Sequence, residues 1–197
     1  MSVPTYLVPR TDGANWSAAE RVSLTHTGWL PPCPVAAWFQ ACHDGLNLYL
    51  RMEAEESPVC ATLAGPLDQV CRDSCLEFFF APDGGERYFN FELNPLGTLC
   101  LGFGVGRSAR VRQVPKDLEQ FQIEPFLTPG GWGVTFAVPV QFVRLYCPSF
   151  ALSGEAAANF CKCGDDTLTP HYLAWTPLTS PVPDFHRRQD FGRLIFE

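Results

Sequence analysis

A row of polar side chains on one predicted strand is the first place where this sequence could do chemistry. Tyr88, Asn90 and Glu92 alternate along residues 87–94 and share one face of the strand. Glu77 is the single charge in a neighbouring apolar run, and an acid in such a strand needs a partner, water or a ligand. Paired donors and acceptors on a rigid sheet suit sugar hydroxyls. An ordinary solvated strand face is the alternative interpretation.

The C-terminal third contributes a second group of candidates. Aromatic, amide and charged residues crowd its long loops, where binding residues often lie. Trp175 has two interpretations, because an indole can stack on the apolar face of a pyranose or be buried in a core. With Trp175, the candidates for hydrogen bonding or stacking in this region are Asn159, Lys162, His171, Tyr172 and His186.

Enzymatic and metal chemistry have weaker support. Glu77 and Glu92 could form the two-carboxylate pair of a glycosidase, and Asp184 with His186 is a second acid–base candidate. Cys161 and Cys163 with His171 have neither the usual zinc spacing nor a matching second pair. No nucleophile elbow, P-loop or dinucleotide motif occurs, so we predict no cofactor and no metal.

Composition narrows the choice of partners and compartment. The chain has 197 residues and a net charge of −7, with a pI of about 5.1, which argues against nucleic-acid binding and docking on anionic membranes. No signal-like segment or membrane-length apolar run is visible. Nine cysteines, an odd number, indicate mostly reduced thiols, and we therefore expect a cytoplasmic protein. The oligomeric state is left open.

The elements that must position these residues read as β-strands. Apolar residues alternate along residues 46–51, 87–94, 132–138 and 192–197, and residues 76–81 form a short apolar run. Residues 82–85, Pro-Asp-Gly-Gly, predict a hairpin loop. Only residues 115–121 and 140–146 suit short helices. The pattern predicts one all-β domain over residues 1–197, a two-sheet antiparallel sandwich of jelly-roll or immunoglobulin-like type with long loops.

Several motifs resemble, in the same order, those of family 9 carbohydrate-binding modules, in their stand-alone bacterial branch. The likeness runs from about Leu46 to the end of the chain. It is carried by DSCLEFF at 73–79, YFNFELN at 88–94 with Gly97, NFCKCGD at 159–165, PHYLAW at 170–175 and PDFH at 183–186 with Phe191-Gly192. The resemblance implies a β-sandwich that binds sugar against one sheet and its loops. Related modules occur as appendages of xylanases.

The resemblance also implies roles for particular residues. Glu77 matches an acid at the family's binding surface, and Trp175 matches one stacking ring. Glu92 stands where xylanase-attached members tend to have a basic residue. Cys71 stands near the position of a second expected Trp, and Cys161 where relatives often have an aromatic residue.

We therefore predict a non-catalytic domain that binds a mono- or oligosaccharide, with a role in carbohydrate catabolism. A glycan-processing enzyme using Glu77 and Glu92, or Asp184 and His186, is the alternative. A third possibility is an interaction module that kept the fold and lost the ligand.

Overall fold

The chain folds into two β-sheets, as the alternating pattern predicts. The computed structural model describes residues 3–197. Its strands are Thr5–Val8 (β1), Val22–Ser23 (β2), His26–Thr27 (β3), Ala36–His43 (β4), Asn47–Glu55 (β5), Cys75–Ala81 (β6), Tyr88–Leu93 (β7), Leu99–Val105 (β8), Ala109–Gln113 (β9), Glu124–Thr128 (β10), Gly131–Pro139 (β11), Gly154–Cys163 (β12), Tyr172–Ala174 (β13) and Gly192–Phe196 (β14).

The two sheets differ in size. The larger runs β1-β14-β12-β6-β7-β8-β9, with β13 also paired to β12 and β3 to β13, and the smaller runs β10-β11-β5-β4-β2. Neighbouring strands are antiparallel except for β1 and β14, which pair in parallel. The predicted hairpin between residues 81 and 88 joins β6 to β7. The two-sheet β-sandwich is therefore confirmed, with one parallel edge pair that the sequence pattern did not indicate.

The main core lies between the sheets. β5 buries every second residue, among them Leu48, Leu50 and Met52, against the phenylalanines of β6 and β7. Full burial of such a side chain stabilises the fold by about 1.5–3 kcal/mol. The smaller sheet therefore behaves as expected for a half-buried sheet, in which alternation of apolar and polar residues marks the inner face.

The larger sheet is buried on both faces at its centre. Every residue of β6 and β7 is buried, because loops cover the face that points away from the smaller sheet. A second apolar cluster forms under this cover and includes Phe79, Phe185 and Phe191. The face that carries Tyr88, Asn90 and Glu92 is therefore enclosed, and the interpretation of these residues as an ordinary solvated surface is wrong.

Helical structure is short. One α-helix, Val140–Arg144 (α1), lies inside the predicted segment 140–146. The segment 115–121 has only a 3-10 turn at Glu119–Phe121, which ends where Gln122 takes a left-handed conformation with φ of 48°. None of the described helices has the length and hydropathy needed to span a bilayer.

Candidate functional site

A small pocket opens on the covered face of the larger sheet. Its volume is about 90 Å³, and its floor contains Glu77 from β6 and Glu92 from β7. Its walls come from segments far apart in sequence, and include Trp29, Cys71, Arg107, Asp165, Tyr172 and the segment 183–186. The pocket thus joins charged groups and aromatic rings in one place, as the sequence hypothesis requires of a sugar site.

The two acids on the floor are directly opposite one another across the strands. Glu77 pairs in register with Glu92, so their side chains project from the same face. Burial raises the pKa of Glu77 well above its usual range, and the Glu92 charge raises it further. Burial also raises the pKa of Glu92, although a hydrogen bond donated by Asn90 Nδ2 at 2.6 Å acts to lower it. The raised pKa values favour the neutral carboxyl, which can donate as well as accept a hydrogen bond.

A network of donors supports the pocket from beneath. Arg110 donates to Asn90 Oδ1 and, at 3.3 Å, to the Tyr88 carbonyl oxygen, and its guanidinium lies 4.6 Å from the centre of the Tyr88 ring. His186 Nδ1 is 3.1 Å from Tyr88 Oη and 3.2 Å from Arg110 Nη1. Because Arg110 can only donate, Nδ1 accepts and the proton of the neutral imidazole is on Nε2. Burial, with the Arg110 charge, lowers the pKa of His186 to about 3.

The network depends on a glycine of β8. A Cβ at Gly102 would lie 2.5 Å from Asn90 Oδ1 and 3.0 Å from Arg110 Nε. We expect Gly102→Ala to lower the free energy of unfolding by about 1–3 kcal/mol through overpacking, measured by urea denaturation. Gly84→Ala is the matched control, because no atom lies within 4 Å of a Cβ there. Equal stability of the two variants would contradict this account.

Aromatic rings form the upper wall of the pocket. The Trp29 ring meets Tyr172 edge-on at a centroid distance of 5.5 Å and lies 5.6 Å from Phe185. Trp29 Nε1 donates to the Ser180 carbonyl oxygen at 2.7 Å. Trp29 has a left-handed backbone, with φ of 63°, which is strained for a bulky residue. Our sequence analysis missed Trp29. Its only signal in the sequence was a tryptophan close to the Pro31-Pro32 loop.

The structure divides the ten predicted site residues into three groups. Glu77, Glu92, Tyr172 and His186 line the pocket. Tyr88 and Asn90 lie on the same sheet face and hold the supporting network. The remaining four, which do not line the pocket, are Asn159, Lys162, His171 and Trp175.

Trp175 does not lie beside the acids. It is 7% exposed and belongs to the core between the sheets, where it packs edge-on against Phe39 at 5.4 Å and Phe160 at 5.9 Å. Asn159 is also buried, and its Oδ1 accepts the backbone N–H groups of Phe160 and Thr176. The structure therefore corrects the prediction of Trp175 as a stacking ring, since its indole has no open face.

Lys162 and His171 belong to a separate buried cluster on the inner face of β12. Lys162 Nζ lies 3.0 Å from Glu56 Oε1 and donates to His171 Nε2 at 2.7 Å. His171 Nδ1 in turn donates to the Thr169 carbonyl oxygen at 2.8 Å, and burial, with the Lys162 charge, lowers the pKa of His171. These residues satisfy one another's polar groups, so the prediction that they bind sugar is not supported by their position.

The proposed acid–base pair Asp184 and His186 is joined through the backbone. Asp184 Oδ1 accepts from the His186 backbone N–H at 3.0 Å, and the His186 imidazole faces Tyr88 and Arg110 instead. The carboxylate therefore does not orient the imidazole, as it would in an acid–base pair.

A larger cavity lies elsewhere, with a volume of about 680 Å³. Its walls are mainly apolar, including Leu96, Val114 and Leu118, and no aromatic ring is among the lining residues. Size alone would favour this cavity. We place the candidate site at the smaller pocket, because that one has the rings and the convergent polar groups that ligand sites use.

Comparisons with known proteins point to one family. The sequence profile described as carbohydrate-binding family 9 matches residues 12–196. A Bacteroides uniformis protein, named as a candidate carbohydrate-binding protein, is similar in structure with a TM-score of 0.87 and 27% identity, over 100% of both chains. No curated protein matches the sequence.

Two structures of a family 9 module from Caldicellulosiruptor kristjanssonii, one in complex with cellotriose and one with glucose, share the fold. Both have a TM-score of 0.69 and cover 98% of this chain. The cellotriose complex is 12% identical with 93% of its own chain covered, and the glucose complex is 13% identical with 96% covered. The profile extends over nearly the whole sequence, and the two-sheet architecture agrees with these solved members. The chain belongs to carbohydrate-binding family 9.

Proposed function

We propose that the chain is a carbohydrate-binding domain that holds a single sugar ring in the pocket lined by Trp29 and Tyr172. The observation that carries the proposal is the joining of aromatic rings and a buried acid pair in one pocket. Family membership and the sugars bound by the two solved modules support it. The pocket is well below the roughly 300–1,000 Å³ of ordinary ligand sites, which favours one ring or a chain end over an extended oligosaccharide.

The polar groups around the rings match the needs of sugar hydroxyls. Burial raises the pKa of Glu77 and of Glu92, and a carboxyl that keeps its proton can both donate and accept, while Arg107 only donates and Asp165 provides acceptor oxygens. Arg107 Nη1 also donates to the Pro183 carbonyl oxygen at 3.1 Å, which fixes one wall of the pocket. The ligand is therefore expected to be uncharged and rich in hydroxyl groups.

Removal of the Trp29 ring tests the proposal. We expect Trp29→Ala to weaken binding of glucose or cellotriose at least about tenfold in titration calorimetry, because an aromatic contact is worth about 0.5–1.5 kcal/mol beyond the area it buries. Trp38→Ala is the matched control, since Trp38 lies on β4 of the smaller sheet and packs against Arg21. Circular dichroism checks that both variants are folded.

Two outcomes would contradict the proposal. One is an affinity of Trp29→Ala equal to that of the wild type, with Trp38→Ala impaired, which would move the site to the other sheet. The other is the absence of binding by the wild-type protein across a broad panel of mono- and disaccharides.

Hydrolysis by Glu77 and Glu92 is the second candidate function, favoured by their direct opposition across two strands. Carboxyl groups about 5–5.5 Å apart serve retaining glycosidases. Product formation from aryl glycosides, lost in Glu77→Gln, would support the enzyme. Binding without turnover across the panel would support the non-catalytic domain.

A further inference from the structure

Two thiols and a carboxyl group converge beneath the pocket. Sγ of Cys75, Sγ of Cys163 and a carboxyl oxygen of Glu77 all lie within 4.8 Å of one another. Cys75 and Cys163 are direct cross-strand partners of β6 and β12, and Glu77 lies two residues further along the same face. All three residues are buried. The rigid centre of the larger sheet, rather than a flexible loop, fixes their arrangement.

The spacing of these atoms suits a small metal ion. Zinc binds thiolate sulfur at about 2.3 Å and carboxylate oxygen at about 2.0–2.2 Å in tetrahedral sites. Ligand atoms in such a site are then separated by roughly 3.5–3.8 Å. Cys163 Sγ already donates to Glu77 Oε1 at 2.9 Å, so modest rotation of the side chains brings the three atoms around a common centre.

The chemistry of the donors selects the ion. Thiolates favour soft or borderline metals, and a carboxylate with two thiolates is compatible with Zn²⁺. A hard ion such as Ca²⁺ prefers a cage made only of oxygen atoms. Three anionic ligands around a divalent ion leave one negative charge, and Arg107 lines the same pocket.

The site is not the one that the sequence suggested. Cys161 and Cys163 flank Lys162, and the imidazole of His171 is occupied by Lys162 and the Thr169 carbonyl. Cys75 replaces His171, because strand pairing brings it directly opposite Cys163. Sequence spacing alone cannot reveal a site whose ligands are almost 90 residues apart.

We propose that Cys75, Cys163 and Glu77 bind a thiophilic divalent metal ion of the Zn²⁺ class, with one coordination position open toward the pocket. Cys163 and Glu77 line the pocket, so a water molecule or a ligand oxygen can reach the fourth position. Binding releases to solvent the protons of the two thiols and the proton of the Glu77 carboxyl, because all three ligands must be deprotonated to bind the ion. The proposal goes beyond sugar binding: the metal site shares Glu77 and Cys163 with the pocket, whereas Cys75 is outside the pocket wall and serves metal binding alone.

Cobalt substitution tests the site directly. The reduced 197-residue chain, stripped of metal by a chelator, is titrated with Co²⁺. We expect a near-ultraviolet thiolate-to-cobalt charge-transfer band that saturates at one equivalent, and competition with a chromophoric chelator gives the Zn²⁺ affinity. Cys75→Ala and Cys163→Ala should lose the band and weaken Zn²⁺ binding more than about 100-fold. Loss of a residue that only supports a ligand costs up to about 100-fold, and loss of a ligand itself should cost more.

Matched variants keep the test decisive. Cys161→Ala removes a buried thiol from the same strand and face and should keep the band. Glu77→Gln keeps both thiols and should shift the cobalt spectrum, which tests the site even if a cysteine variant fails to fold. Absence of one-equivalent binding by the wild type, or an unchanged band in Cys163→Ala, would overturn the proposal.

The same variants separate this proposal from the proposed function. Cys75→Ala should lose metal binding and retain its affinity for sugar. Loss of sugar binding in Trp29→Ala with the cobalt band intact would show that the metal ion binds without the sugar-binding ring. Failure of the wild type to bind sugar while it binds cobalt would contradict the sugar site alone.

Discussion

Lys162→Ala is expected to lower the free energy of unfolding by about 3–5 kcal/mol, because it leaves the Glu56 carboxylate buried without its cation. The Lys162 side chain is fully buried and that of Glu56 is 2% exposed, so Lys162 compensates a carboxylate that is shielded from bulk solvent. Trp132 Nε1 also donates to Glu56 Oε1, at 2.5 Å, which connects the cluster to the smaller sheet. Urea denaturation measures the loss as a lower midpoint.

The double variant Lys162→Met with Glu56→Gln is the control for this prediction. It removes both charges and retains an oxygen at position 56 that accepts from Trp132. Replacement of a buried ion pair by neutral groups is often nearly neutral in stability, so the double variant should recover most of the loss. A double variant as unstable as Lys162→Ala would show that packing, rather than the uncompensated charge, is responsible.

Trp175→Ala is expected to destabilise the fold by about 3–5 kcal/mol, as for other large-to-small changes in a well-packed core. The indole fills the space above Gly192, where a Cβ would lie 2.6 Å from the ring. Strand β14 thus has a glycine because this ring lies against it. Thermal denaturation should show a clear fall in Tm, whereas Trp29→Ala, at the half-buried rim, should change Tm less.

Sugar titration distinguishes a structural Trp175 from a binding one. Trp175→Phe keeps an aromatic core residue and should bind sugar as the wild type does. A stable Trp175→Ala variant that loses sugar binding would return the indole to the site and contradict its assignment to the core.

Alternation along single strands was enough to predict much of the fold. β5, β7, β11 and β14 lie close to the predicted ranges, and the shared face of Tyr88, Asn90 and Glu92 follows directly from the two-residue period. The pairing of Glu77 with Glu92 could also be predicted from the sequence, because a short hairpin joins their strands. Local pattern and turn chemistry determine these features.

The C-terminal candidates were harder to place, because both faces of the central strands are buried. In β12 the outer face carries Cys161 and Cys163 and the inner face carries Lys162, so burial alone cannot tell which side meets the ligand. A lysine and a tryptophan on the inner face look like binding residues in the sequence. Trp29 reaches the pocket through tertiary packing over a long chain separation, which no local period reveals.

The loops over the larger sheet both shield an apolar cluster and form the walls of the pocket. Phe185 and Phe191 pack into the apolar cluster beneath these loops, while Asp184 and His186 line the small pocket. Ligand preference and solubility are therefore linked in this scaffold. Exchange of whole loops to change the ligand would expose the apolar face of the larger sheet and promote self-association. Single substitutions at positions that face the pocket leave Phe185 and Phe191 in place.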